Sequence, residues 1–489
     1  MKNMYVYAFC FWVFISVFST TIFSTVYSGQ SKAPGRRPPP GSHQVDVPEH
    51  PFDIIVCRPA RNFVTLNVLT YSDARGYIEY GTKQDIYEAK SITYQFENGE
   101  PQSIILDSLL PDTKYYYRFF YQYEGSSGLA ASDEYAFNTQ RAKGKTFVFT
   151  IQADSHLDPN INTEIYRTTL NNANKDRPDF HIALGDTFMA GKFRGGYKDS
   201  IRQYIAQRYY FGLLCHSSAF YFALGNHDGE SGGSFVRGTE SRPVWAANTR
   251  KAFFPNPYPD SFYTGNNQKQ ENVGFLEDYY AWEWGDGLFI VLDPFWYSKV
   301  VRGEGDGNNW YWTLGEVQYK WLKKTLEESN AKFKFLFMHH LIGGLNKSGV
   351  ARGGAEAAKY FEWGGNNLDG SYGFDKQRPG WDMPIHDMLV KNNASAVFHG
   401  HDHLFVKQDL DGIVYHLVPW AGNYKDPRGD FELFGYYDGD MLDSGGYLRV
   451  TVSSDKAVVD YIRSILPKDE ERLRVRNGDN VYSYTIRSD

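Results

Sequence analysis

Short apolar runs that stop at an ionisable or amide side chain recur five times along the chain. Residues 219–224 lead into Gly225-Asn226-His227-Asp228, and residues 147–151 lead into Asp154-Ser155-His156. Residues 180–184, 333–337 and 394–398 lead in the same way into Gly185-Asp186-Thr187, Met338-His339-His340 and Gly400-His401-Asp402-His403. Each run reads as a buried strand. Carboxylates, amides and imidazoles are costly to bury unpaired. Five strands that each release such groups at one end predict one site along a sheet's carboxyl edge, where open α/β sheets hold their ligands.

The remaining pattern divides the chain in two. Residues 51–142 show short alternating runs at 63–69, 76–80, 103–106, 115–123 and 134–139, separated by turn residues and without a helical period. This predicts an all-β region. From about residue 143, strands and helices alternate, with helices expected at 162–174 and 385–391. Thr313 and Glu316 fit a capping box that opens a further helix, with Leu314, Trp321 and Leu322 on one face. Strands at 413–418, 447–452 and 457–462 close the region. Alternation of this kind predicts a mixed or parallel sheet covered by helices. Two long insertions, 230–281 and 346–382, follow motif strands and are expected to overhang the site.

Composition narrows the function. The chain has 489 residues, enough for two or more cores, and 17% aromatic content, which favours a rigid globular protein. A net charge of −7 with no basic block gives no nucleic-acid-binding signature. Residues 1–28 carry Lys2, an apolar run at 5–18 and a small-residue end at Val26-Tyr27-Ser28. That order resembles a secretory signal peptide and predicts a secreted or periplasmic protein. An uncleaved membrane anchor is the alternative, although the run falls short of the roughly 20 apolar residues of a span. No later stretch could cross a bilayer. Residues 29–50 form a Pro-rich connector. Beyond Cys10 in the leader there are two cysteines, Cys57 and Cys215, which either pair or remain buried thiols.

The motifs carry the chemistry. Asp154 and His156 are two apart on an extended segment, so both can turn toward one ion, and His401 and His403 can do the same. Asp186 follows a glycine that lets the backbone bend sharply. Mixed nitrogen and oxygen donors suit Zn, Fe or Mn rather than Ca. In order, Asp-x-His, Gly-Asp, Gly-Asn-His-Asp, His and Gly-His-x-His resemble the calcineurin-like metallophosphoesterase superfamily over about residues 145–405. The Tyr80-Gly81-Thr82 turn resembles the N-terminal domain of purple-acid-phosphatase-like proteins, and residues 109–116 resemble the tyrosine-bearing corner of fibronectin type III-like sandwiches.

The resemblance implies a β-sandwich over 51–142, then over 143–489 an α/β metallophosphoesterase sandwich of two mixed sheets flanked by helices. It also implies two divalent or transition metal ions. By motif, the first ion falls to Asp154, His156 and His403, the second to Asn226, His339 and His401, and Asp186 bridges them. His227 stands beside the ions as the catalytic imidazole, oriented by Asp228. His339 is preferred to His340 as ligand because it directly follows the strand, which leaves His340 to face substrate. Purple acid phosphatases have an iron-binding Tyr where this chain has Met189, so no tyrosinate colour is expected. His181, His216, His386, His399 and His416 read as packing or surface histidines. Arg194, Arg237 and Arg352 read as either phosphate partners or solvated side chains.

The implied reaction is hydrolysis of a small-molecule or macromolecular phosphate ester by a metal-bridging hydroxide. A phosphomonoesterase of the acid or alkaline phosphatase kind is the first reading, and a phosphodiesterase would use the same site. The non-enzyme reading is a secreted binding or adhesion protein with an inactive phosphoesterase body. An inactive body would have lost a ligand or the proton donor, whereas all eight positions are filled here.

Overall fold

Nine strands form the first sheet of the computed structural model. Their order is Asn480–Arg487, Lys456–Arg463, Gly446–Val452, Phe147–Gln152, Phe180–Ala183, Ala219–Phe222, Phe52–Cys57, Val64–Thr70 and Gln102–Leu106. The structure describes residues 43–193, 196–232, 238–298, 309–345, 351–424 and 430–488. The leader, the proline run of the connector, Arg194 and Arg237 lie outside the described residues. The second sheet has eight strands, and its central four, Gly287–Val291, Phe333–Met338, Ala396–His399 and Ile413–Leu417, run parallel. In the first sheet the strands from Phe147, Phe180 and Ala219 are likewise parallel, and the outer ones are antiparallel. Both sheets are therefore mixed.

The two sheets face one another across an aromatic core. Phe149 stacks on Phe180 at 5.2 Å between centroids and meets Phe289 of the other sheet edge-on at 5.2 Å. Tyr221 stacks on Trp282 at 4.0 Å. Such rings bury large areas and prefer these offset and edge geometries. The outer faces carry a second core beneath the helices Thr163–Lys175, Tyr197–Cys215, Gly315–Glu328 and Ile385–Lys391, with Leu170, Phe211, Leu322 and Leu389 fully buried.

Residues 52–138 contain no helix, and their strands split between two sheets. Ala74–Gly81, Lys114–Tyr123 and Tyr135–Asn138 pair with one another. Phe52–Cys57, Val64–Thr70 and Gln102–Leu106 instead continue the first sheet, through the parallel pairing of Cys57 with Phe220. The Phe52–Cys57 strand is absent from the runs read in the sequence. It is buried on both faces and so shows no alternation. Cys57 and Cys215 are free and buried.

Three further points correct the sequence reading. The capping box is only half made: Thr313 Oγ1 accepts from the Gly315 N–H at 2.9 Å, while Glu316 pairs with Lys320 and the Thr313 N–H donates to Ser298. The insertion 230–281 holds a helix, Arg242–Phe253, with proline in its first turn. The 19-residue helix Tyr197–Cys215 has no counterpart in the sequence reading. Its inward face bears Ser200, Gln203, Gln207 and Arg208, all buried, and these polar residues break the apolar period.

Arg208 fastens that helix to the N-terminal strands. Its guanidinium is fully buried and donates to Asp53 O, Asn67 O, Asn67 Oδ1 and Phe253 O at 2.6–3.0 Å. Gly212 lets the helix approach, since a Cβ there would lie 2.9 Å from Asp53 Oδ1. Arg208→Leu leaves buried acceptors without donors, at about 1–3 kcal/mol each. It is expected to destabilise the protein by at least about 2 kcal/mol, read as a lowered urea midpoint. An unchanged midpoint would contradict this role.

Candidate metal centre

The five motif segments leave the carboxyl ends of parallel strands in both sheets. The first sheet delivers Asp154, His156, Asp186 and Asn226, and the second delivers His339, His401 and His403. The site thus spans the shared edge of two sheets, where the strand pattern alone had placed it on one. Asp154 Oδ1 lies 3.4 Å from His403 Nε2 and 3.6 Å from His156 Nε2, and the two imidazole nitrogens are 3.2 Å apart. His339 Nε2 lies 3.0 Å from Asn226 Oδ1, 3.1 Å from His401 Nδ1 and 3.4 Å from Asp186 Oδ2. The same Asp186 oxygen is 3.7 Å from His156 Nε2. Donors bonded at about 2.1 Å to one ion sit roughly 3–3.5 Å from each other. Asp154, His156 and His403 form one group of this kind, and Asp186, His339 and His401 form another.

The donor chemistry fits a cation. His339 Nδ1 must donate to Leu184 O, 2.7 Å away, because a carbonyl only accepts. Its Nε2 faces an amide oxygen and a carboxylate oxygen, so it needs either a proton or an ion between them. Burial opposes charge on His339, but Asp186 and Asp154 outweigh it and hold the imidazole up at about 9. His156 is likewise held at about 9, with Asp154, Asp158 and Asp186 overcoming its burial. Burial keeps His401 and His403 below the ordinary imidazole range. Against their burial, surrounding imidazoles hold Asp154 and Asp186 well below the usual carboxylate range, His403 chiefly for Asp154 and His339 chiefly for Asp186.

The backbone is bent to bring these atoms together. Asp154, Asp186, His401 and His403 have φ of 60°, 51°, 80° and 61°, the left-handed region that non-glycine residues seldom adopt. Such conformations persist where surrounding structure over-determines them. Asp228 is the main clamp. Its fully buried carboxylate accepts the N–H groups of Asp186, Thr187, Phe188 and Gly225 at 2.7–2.9 Å. The two loops cross backbone against backbone: a Cβ on Gly225 would lie 2.0 Å from Asp186 N. These four bonds all go to loop N–H groups, so Asp228 acts on the backbone as well as standing next to His227, the imidazole that the resemblance has it orient. His227 donates its own N–H to Asp186 Oδ1 at 2.8 Å, and its Nε2 stands 3.9 Å from Asp186 Oδ2.

Two glutamines of the Tyr197–Cys215 helix complete the support. Gln203 Nε2 donates to His156 O and to Thr187 O, and Gln207 Nε2 donates to Ser155 O and Thr187 O. One helical face thereby ties the Asp154-Ser155-His156 loop to the Gly185-Asp186-Thr187 loop. Asp158 lies at ion-pair distance, 3.5 Å, from His156 Nδ1, a carboxylate beside the site that the motif spacing does not mark. Residue 44 docks on the same loop, where Gln44 N–H donates to Leu157 O at 2.6 Å and Gln44 Nε2 to Asp158 O at 2.8 Å. The end of the connector thus packs against the body.

The other candidates lie elsewhere or hold partners. His340 is buried between Phe295 and Trp312, 5.0 and 4.6 Å from their rings, with burial pushing it down to about 3. This is a core position, not the substrate-facing one expected. Arg352 pairs with Asp402 and lies 4.0 Å over the Phe434 ring, with its side chain still 23% exposed. His386 pairs with Asp411 and Tyr415, His416 with Tyr484, His181 with Thr150 and His216 with Ser217. His399 is buried with its Nε2 unpartnered, and Met189 is buried with φ 49°. Asp228→Ala strips four N–H groups of their acceptor and is expected to destabilise the fold by about 2–4 kcal/mol, measured by urea unfolding. A stability equal to wild type would show that the clamp does not hold the loops.

Comparison with known proteins agrees with this geometry. The model of the calcineurin-like phosphoesterases matches residues 147–405. No curated protein matches the chain. Among solved structures, PhoD is similar over 93% of this chain and 92% of its own, at 14% identity and a TM-score of 0.62. Purple acid phosphatase PPD1 from yellow lupin (Lupinus luteus) seeds is similar over 88% of this chain and 73% of its own, at 15% identity and a TM-score of 0.56. At these identities the likeness is one of fold. The family match covers the strands that carry all five motifs, and the chain belongs to the calcineurin-like phosphoesterases.

Proposed function

We propose that the protein is an exported, metal-dependent phosphomonoesterase of the acid or alkaline phosphatase kind, with Fe, Zn or Mn in a dinuclear centre. One observation supports this above the others: Asp186 Oδ2 faces both donor groups, 3.7 Å from His156 Nε2 and 3.4 Å from His339 Nε2. Asp154, His156 and His403 would hold one ion and Asn226, His339 and His401 the other, with Asp186 shared. Ions held there supply Lewis-acid stabilisation of phosphoryl oxygens and a water acidic enough to lose its proton near neutrality. The monoester reading follows the fold shared with a purple acid phosphatase.

The chain's own residues do the rest. Asp228, Gln203 and Gln207 fix the loops, so little reorganisation remains when substrate arrives. His227 is 15% exposed, against 3% for Asp186, which leaves its ring able to reach a bound ester. It carries a proton on Nε2 toward the leaving oxygen. Residues 1–28 act as signal peptide and 29–50 as connector, 51–142 as a fibronectin III-like supporting unit, and 143–489 as the catalytic unit. Tyr115 supports the fibronectin-like reading, since its hydroxyl oxygen accepts the Leu110 N–H at 2.8 Å in a tyrosine corner.

Two measurements test the assignment. Asp186→Ala should lose both ions and Asn226→Ala mainly one, counted by elemental analysis after desalting. Unchanged metal in Asp186→Ala would remove the shared-ligand role. His227→Asn should keep its metal and lose roughly 100- to 10,000-fold of its activity on an alkyl phosphate, with a much smaller loss on nitrophenyl phosphate, whose leaving group barely needs a proton. Equal losses on both esters would assign His227 to charge stabilisation, and loss of metal would make it a ligand or support.

A further inference from the structure

Trp420 follows the strand Ile413–Leu417 of the second sheet and bridges, in parallel register, to Ala153 at the end of Phe147–Gln152 in the first. It is one of the points where the two sheets are fastened at the site. Its ring lies flat on His403, with centroids 4.2 Å apart and planes at 22°. Its Nε1–H donates to the Asp154 carbonyl at 2.7 Å, and His156 is 6.0 Å from the same ring. One side chain thus touches or flanks all three members of the Asp154, His156 and His403 group. The indole is itself immobilised: it is 5% exposed, and the Trp420 N–H donates to Ser444 Oγ at 2.7 Å.

Both residues that it contacts are strained, with Asp154 at φ 60° and His403 at φ 61°. The Asp154 carbonyl is fixed by the indole N–H, which holds the peptide that turns the carboxylate inward. The His403 ring meets His156 and Asp154 only through its Nε2, and the flat indole against it sets the plane in which it lies. The second group has supports of its own: His339 is fixed by its bond to Leu184 and flanked by the Phe295 ring at 6.1 Å, and His401 lies 5.3 Å from the His340 ring. We infer that Trp420 is the positioning residue of the first metal group, setting the ring plane of His403 and the peptide plane of Asp154 so that only that group's affinity depends on it. This inference rests on the metal reading proposed above.

The test is a titration of the full-length protein with Mn2+, counting free ion by electron paramagnetic resonance and following tryptophan fluorescence in parallel. Wild type should take up two ions, and the first-group step should quench indole emission. Trp420→Ala should weaken one of the two steps by about 10- to 100-fold, the usual effect of removing an outer-shell partner, and leave the other at its wild-type affinity. Trp420→Phe keeps a stacked ring without the N–H, so it should weaken the same step less and lose the quench. It also serves if the alanine variant does not fold. Two wild-type affinities in Trp420→Phe and Trp420→Ala, or equal weakening of both steps in a folded variant, would overturn the inference. A wild-type protein that binds no Mn2+ would instead overturn the metal reading beneath it.

Discussion

The structure depends on acceptors being brought face to face. Carboxylate oxygens, an amide oxygen and imidazole lone pairs converge within 3–4 Å on either side of one oxygen of Asp186. Left to themselves such groups repel or draw protons, and the raised His156 and His339 express that demand for positive charge. Most of the local architecture can be read as the means of holding this unfavourable arrangement in place.

The means are backbone hydrogen bonds more than side-chain contacts between ligands. Asp228 gathers N–H groups from two loops, and Gln203 and Gln207 gather carbonyls from two loops. Those supports sit on one strand end and one helix, and that helix is in turn locked to the N-terminal strands by Arg208. The β-rich N-terminal region is therefore mechanically connected to the site through a buried cation and a helix, although it contributes none of the candidate donors.

What the sequence makes legible follows from where polarity meets an apolar run. The motif strands are short and apolar, and each ends on a donor residue, so their existence can be read directly, while their division between two sheets cannot. The Tyr197–Cys215 helix cannot be read in that way, because its buried face is polar for the sake of the loops that it binds. The adjacency of His227 and Asp228 invites a catalytic pair. The two sit, however, in a tight turn closed by the Asp228 N–H on Gly225 O, in which the Asp228 carboxylate accepts loop N–H groups while the His227 side chain is the most exposed of the imidazoles beside Asp186. Trp420 and Asp158 carry no motif, and only packing against the motif histidines identifies them. Spacing likewise cannot show that His340, one residue past the strand's ligand candidate, falls among Phe295 and Trp312.

The central claim is that Asp186 stands between two ions. Anomalous diffraction from crystals grown with Mn2+ tests it most directly. Two peaks are expected about 3.5–4 Å apart, one beside Asp154, His156 and His403 and one beside Asn226, His339 and His401, with Asp186 Oδ2 between them. A single peak, or two peaks that leave Asp186 to one side, would contradict it.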